Sequence, residues 1–254
     1  MKNKITRDKL IEMVFEEFSE DLDLIPMLID QLKKEVKYTF HGEVSTDNFI
    51  TGEKLAEQIC LTAGTAYNNT EPWLKFTGET KDGKITTMFV AKKPLRYNLS
   101  WDHINAVGAV FGKEITIDGQ TYKVRLMRGA SENPSDPVGN RSAHGSEWNR
   151  MMLPIHEQAI DKTWAYSAYV EDNIEPFTHT LGNGEDGMYT DADLLTHHSH
   201  GNGSLSWTQE SVESHLCSRV LRGNNGVSNS QWIYHSNTGE NLGWRPVLEL
   251  VPAS

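Results

Sequence analysis

The residues best suited to chemistry lie in the second half of the chain. Thr196-His197-His198-Ser199-His200 sets three imidazoles within four positions, the composition of a metal tract. Zinc takes three or four ligands converging at about 2.0–2.3 Å, usually from two separated segments. No His-Glu-x-x-His, no Cys-x-x-Cys and no acidic residue close behind His200 completes such a set, so the tract 197–200 reads as a polar loop. Paired acids recur at Glu185-Asp186 and at Asp191 and Asp193. With loop carbonyls they offer oxygens of the kind that Ca²⁺ gathers, about six to eight at a time. The EF-hand spacing is absent, so they read as solvated surface; no cofactor is expected, and Ca²⁺ is the one ion these acids suit. Acyl transfer finds no Gly-x-Ser-x-Gly, and His144 between Ser142 and Ser146 is only a neighbour in sequence, whereas a triad is assembled in space. Phosphate cradles are missing too: there is no P-loop, and Gly182-Asn183-Gly184 runs into Glu185 and Asp186, the wrong charge for the ligand.

Non-covalent recognition is better represented. Between Gly223 and Gly243 the chain holds Asn224, Asn225, Asn229, Trp232, Tyr234, His235 and Asn237. Asn gives adaptable hydrogen bonding, and Trp and Tyr give large, rigid contact area at low entropic cost, which is the composition of a paratope. Trp207 joins these seven as an eighth candidate ligand-binding residue. The window is bracketed by two stretches of structural character, Arg219-Val220-Leu221-Arg222-Gly223 before it and Gly243-Trp244-Arg245-Pro246 after it.

The elements that must position these residues follow from pattern. Leu10, Ile11, Val14, Phe15 and Phe18 recur at helical spacing, as do Ile25, Leu28, Ile29, Leu32 and Val36. Two short amphipathic helices are expected there, with a boundary near 41–44. Such a hairpin cannot bury its apolar face alone, so residues 1–43 are assigned to attachment or oligomerisation. A helix is expected over 52–62. Asp82-Gly83 and Asp118-Gly119, each between apolar runs, predict two hairpins. Ser100 caps a short helix with Trp101 and Ile104, and 147–153 is a short helix stopped by Pro154. One helical turn is expected at 191–195. Residues 129–146 and 171–190 read as loops, 196–242 is rich in Gly, Asn, Ser, His and Trp, and 244–251 reads as a strand with Pro246 placing it near an edge or strand start. Trp148, Trp164, Trp207 and Trp244 are the expected anchors, and Arg245 and Glu249 the expected hydrogen-bonding or ion-pairing residues near the end. This mixture predicts an α+β fold rich in loops, a domain of residues 44–254 preceded by the short N-terminal helical segment.

Composition narrows the partners. The 254 residues carry 24 Lys+Arg against 35 Asp+Glu, a formal charge of −11, which disfavours grip on a nucleic-acid backbone or an anionic membrane surface. No stretch approaches the roughly 18–20 apolar residues of a membrane span, and the first residues lack the pattern of a secretory signal. Cys60 and Cys217 are the only cysteines, too few for a disulfide framework; two free core thiols are expected.

Arg219-Val220-x-Arg222-Gly223 followed by Asn241-Leu242-Gly243-Trp244-Arg245 resembles the closing signature of the formylglycine-generating-enzyme branch of the C-type lectin-like fold, which also carries ligand-binding proteins diversified by retroelements. Residues 72–76 (PWLKF), 90–95 (VAKKPL), 100–105 (SWDHIN), 122–129 (YKVRLMRG), 145–151 (GSEWNRM) and 243–250 (GWRPVLEL) resemble a group of bacteriophage and prophage virion proteins. The resemblance implies a C-type lectin-like domain at 44–254, made in the bacterial cytoplasm and carried in the virion. It departs from the enzymes in having no cysteine between Gly223 and Gly243, and from calcium-dependent sugar lectins in having no Glu-Pro-Asn or Gln-Pro-Asp. The expectation is therefore a non-enzymatic virion-associated binding protein. Its partners would be a host receptor or surface glycan or protein at the C-terminal face, other virion proteins through residues 1–43, and further copies of itself in a homo-oligomer; no nucleic acid and no membrane insertion are expected. The alternative is a structural tail, baseplate or capsid decoration protein with no receptor of its own.

Overall fold

A computed structural model describes residues 38–79, 85–130, 146–157, 189–196, 202–223 and 226–252. The two helices expected before residue 37, Trp164, the tract 197–200, Glu185-Asp186, the turn at 80–84 and most of the loops at 129–146 and 171–190 lie outside these residues. The chain divides into two compact units, 1–37 with 79–84, and 38–78 with 85–254. Apart from Glu79, everything described belongs to the second.

Alternating side chains build two six-stranded sheets. The first, sheet A, is antiparallel and joins β1 (Tyr38–Val44), β3 (Trp73–Glu79), β4 (Ile85–Ala91), β12 (Pro246–Leu250), β7 (Gln120–Leu126) and β6 (Lys113–Ile117), in that order. Sheet B runs β10 (Ser230–Tyr234), β9 (His215–Gly223), β8 (Leu205–Val212), β11 (Leu242–Trp244), β5 (Arg96–Tyr97) and β2 (Thr65–Ala66); only its β11–β8 pair is parallel. The β6–β7 hairpin turns where the pattern places it. Asp118 (φ 48°) and Gly119 (φ 78°) both take left-handed backbone, the requirement of the two-residue turn that matches strand twist, and Ile117 pairs with Gln120.

Four short α-helices and a single 3-10 turn at Thr46–Asn48 complete the described chain. Thr51 caps α1 (Gly52–Ile59), its hydroxyl accepting from Lys54 N at 3.3 Å. Ser100 caps α2 (Trp101–Ala106) in a reciprocal box with His103. Ser146 caps α3 (Glu147–Met152), and Thr190 and Asp193 box the single turn α4 (Asp191–Leu194). One apolar core gathers side chains from both sheets and from α1 and α2: Leu55, Ile59, Trp73, Trp101, Ile104, Val124, Trp207, Leu221, Trp244 and Leu248 among them.

Two expectations need correction. Of the described residues 44% are strand and 17% helix, in two large sheets with few helices, so the fold is mostly β and not the expected α+β. Residues 205–234 misled because they carry few apolar side chains. Only every second residue of β8 and β9 meets the core, and Ser206, Thr208, Glu210, Ser218 and Arg222 occupy the other face. Of the two places offered for Pro246, an edge or a strand start, it takes the second: it is the first residue of β12, which lies in the middle of sheet A between β4 and β7. Cys60 and Cys217 are free as expected, but exposed and not in the core. Cys60 is the left-handed C-cap of α1 (φ 62°), which turns it out of the helix's buried face.

Helix α3 is latched to sheet A by charge. Arg125 of β7 forks onto Glu147 at 2.6 and 2.8 Å and reaches Glu249 of β12 at 2.8 Å. Arg128 N adds a 2.9 Å bond to Glu147, and Tyr38 of β1 donates to the same carboxylate at 3.4 Å. Burial alone pushes the Glu147 carboxyl up; the Arg125 charge and these hydrogen bonds more than reverse it and hold it below its ordinary value. A carboxylate held low contributes stability above its unfolded value and loses it as pH falls. Acid titration of the wild type should therefore show stability draining below about pH 4.5, the ordinary value of Glu147. Glu147→Gln should lose about 3 kcal/mol near neutrality, as broken buried pairs do, and should be flatter in acid. Urea midpoints measured across pH check both, and equal acid slopes would remove Glu147 as their source.

Candidate functional site

Sheet B has two unlike faces. Leu205, Trp207, Leu221 and the half-buried Ile233 point into the core. On the opposite face Ser206, Arg222 and Ser230 stand directly across from one another on β8, β9 and β10. The next rows bring Trp232 beside Val220 and Tyr234 beside Ser218. The row nearest α3 is buried, whereas Tyr234 at the far end is 56% exposed, so the face grades from a buried polar end to an open aromatic end.

The buried end is organised by Arg222. Its guanidinium donates to Gly129 O at 2.9 Å, Asn149 Oδ1 at 2.5 Å and Ser228 O at 3.2 Å, and lies 5.6 Å from the centre of the Trp148 ring. Gly129 also donates its N–H to Glu210 at 2.8 Å. It works because it lacks a side chain: a Cβ there would fall 2.6 Å from Thr208. Burial pushes the Glu210 carboxyl up, against the Gly129 N–H and the Arg128 charge 3.5 Å away. The Ser206, Ser218 and Ser230 hydroxyls on this face are buried with no hydrogen-bond partner among the described residues.

At the open end, contacts across the fold hold the β9–β10 hairpin. His235 Nδ1 lies 2.7 Å from Asp102 Oδ2, and an acceptor-only carboxylate keeps the proton on that nitrogen. The backbone repeats the link: Asp102 N donates to His235 O at 3.3 Å, and His235 N to Cys217 O at 2.8 Å. Arg219 lies 4.2 Å from the centre of the Trp101 ring and donates to Leu216 O and Ser218 O. The His215 ring meets Trp232 edge-on at 4.8 Å. Leu216 and Phe111 remain 72% and 58% exposed, with Phe111 against Trp101.

The sequence-derived set is thus partly united. Trp232, Tyr234 and His235 share the hairpin, and Asn237 closes the turn after it by donating to Tyr234 O at 3.0 Å. Asn229 belongs to the turn before β10, where its carbonyl accepts from Gly223 N at 3.1 Å. Asn224 and Asn225 lie outside the described residues. Trp207 is removed from the set: it is fully buried, faces the core and donates its indole N–H to Leu99 O at 2.9 Å, so it anchors the start of α2 and touches no ligand. Asp102, His215, Leu216 and Arg219 were not among the expected residues. No local signal links Asp102 to His235 across 133 positions. The alternation in Leu205-Ser206-Trp207-Thr208 is the local signal that could have found the two-faced strand β8, but no expectation above rested on it. Asp191 and Asp193 are engaged within the protein: Asp191 accepts from Val227 N at 2.8 Å and lies 3.2 Å from His156 Nε2, and Asp193 caps α4. Among the described residues no group of three His, Cys, Asp or Glu could hold a metal ion, and no helix is long and apolar enough to cross a membrane.

Compared with protein-family models, with curated proteins and with solved structures, the chain matches none. The site's geometry therefore carries the functional argument. The Asp102–His235 pair is half-exposed, so its removal should cost under about 1 kcal/mol of global stability. Local order should suffer more: in Asp102→Ala, amide exchange of residues 231–235 should quicken at least threefold by mass spectrometry. Unchanged exchange would show that the pair does not hold the hairpin.

Proposed function

We propose that this chain is a non-enzymatic, virion-associated binding protein that presents the open end of sheet B to a ligand on the host cell surface. The observation that carries the reading is the aromatic and apolar group at the β9–β10 hairpin. Tyr234 and Leu216 stay exposed on a segment fixed by the Asp102–His235 pair and by the Arg219–Trp101 stack. A pre-ordered surface spends little conformational entropy on binding, and a rigid Tyr/Trp pair flanked by Asn, Ser and His is suited to it. Virion association is supported by the resemblance in the six stretches from residues 72–76 to 243–250. Those stretches fall on β3, the end of β4, α2, β7, α3 and β11–β12, the frame that carries the hairpin.

The test uses the purified full chain and intact cells or isolated envelopes of the bacterium that the particle infects. Trp232→Ala with Tyr234→Ala should cut adsorption at least about tenfold, the scale of an aromatic hot spot, with the circular dichroism spectrum and melting temperature retained. Adsorption unchanged by the double variant would overturn the assignment of this face.

A further inference from the structure

A sheet edge presents unpaired N–H and C=O groups, and folded proteins blunt it with charge, proline, a bulge or brevity. Three of the edges here follow that rule. Strand β1 carries Glu43 and a register shift between Phe40 and Glu43. Strand β6 carries Lys113 and Glu114, and β2 has only two residues. Strand β10 has none of these devices. Its sequence Ser-Gln-Trp-Ile-Tyr is uncharged, and its register with β9 is unbroken from Ser230↔Arg222 to Tyr234↔Ser218. Among the described residues no strand lies on its other side.

The hydrogen bonds fix which backbone groups face out. Gly223 N bonds Asn229 O, and His235 N bonds Cys217 O. Alternation along an antiparallel ladder then turns residues 229, 231, 233 and 235 toward β9 and residues 230, 232 and 234 outward. We propose that β10 pairs with β10 of a second copy of this chain, antiparallel about a two-fold axis through Trp232. Outward groups of 230, 232 and 234 on each copy would make about six inter-chain hydrogen bonds.

A second copy is the occupant because the strand is complementary to itself. Trp232 meets the partner's Trp232, Ser230 meets the partner's Tyr234 and Gln231 meets the partner's Ile233. Aromatic pairs are favourable in this position, and no like charges are brought together even though each chain carries −11. A partner of opposite charge would find no complementary charge on this edge. Exposed Tyr234 and Leu216 lie at the same hairpin and gain cover. The Trp232 and Tyr234 rows of two copies would then lie side by side on one continuous sheet. That last consequence rests on the ligand reading above; the pairing does not.

Light scattering on the full chain should give a dimer. Trp232→Pro removes an outward N–H together with the indole and should give a folded monomer, whereas Trp232→Val removes the indole but keeps that N–H and should remain dimeric. Trp232→Cys, with Cys60→Ser and Cys217→Ser, should form an inter-chain disulfide on oxidation. A monomeric wild type, or an oligomer that survives Trp232→Pro, would overturn the pairing. Adsorption of the wild type to cells is read separately: a wild type that is monomeric yet adsorbs defeats the pairing alone, and a dimeric wild type that does not adsorb defeats the ligand reading alone.

Discussion

The chain passes between the two sheets several times, and its tightest crossing is a single residue. Strand β11 ends at Trp244 and β12 begins at Pro246, so at this crossing Arg245 alone carries the chain from sheet B to sheet A. Its fully buried guanidinium donates to Ala91 O at 2.8 Å, to Lys92 O and to Leu194 O at 2.6 Å, tying the end of β4 to α4. Burial lowers its affinity for the proton, yet it stays charged at neutral pH, and backbone carbonyls take the place of water around it. The Trp148 ring lies 5.2 Å from Arg245 and 5.6 Å from Arg222. One indole thus shares its π-face attraction between two buried cations. Leu95 N closes the junction by bonding Trp244 O at 2.8 Å. If that junction shifted, β12 would lose its place between β4 and β7, and Arg222 its place under the polar face of sheet B.

Rigidity at the junction and openness at the hairpin are connected. Arg222 stands in the first row of the face whose last row holds Tyr234, so the position of the exposed rings is referred back to Trp148 through β-strand backbone. Carboxylate and arginine groups cluster at the frame: Arg125, Glu147 and Glu249 on sheet A, and Arg128 with Glu210 where β7 meets β8. Around the rings Asp102 and Arg219 are each engaged within the protein, and hydroxyl, amide, imidazole and aromatic groups make up much of the rest. Charge is thus concentrated in the frame, and the open end is partly apolar.

Local signals in the sequence were sound. The Ser100 cap, the short helix from Glu147 and the Asp118-Gly119 turn are set by residues within a few positions of one another, and each is found where pattern puts it. Sheet content was missed because a Ser/Thr-rich face depresses hydropathy without weakening backbone pairing; β8 and β9 hide their core face in every second residue. Glu249 and Arg245 were expected to bond near the chain end, but their partners, Arg125 and the carbonyls of β4, are non-local and no spacing could name them. Trp207 went the same way: indole suits a ligand face and a core equally, and only burial decides. Tyr234 and His235 were legible as members of one polar and aromatic window, whereas Asp102, which lies 2.7 Å from His235, falls only within the short helix that Ser100 caps.

Strand order has a consequence for biosynthesis. Strand β12 separates β4 from β7, so these two do not pair with each other in sheet A. Both present open, largely apolar edges until residues 246–250 arrive, more than a hundred positions after β7. A ribosome adding about 5–20 residues per second leaves those edges bare for several seconds. During that interval the growing chain would depend on chaperones or dilution to avoid pairing with a neighbour. Sheet A then closes in one late, long-range step as the last strand slides between two that are already formed.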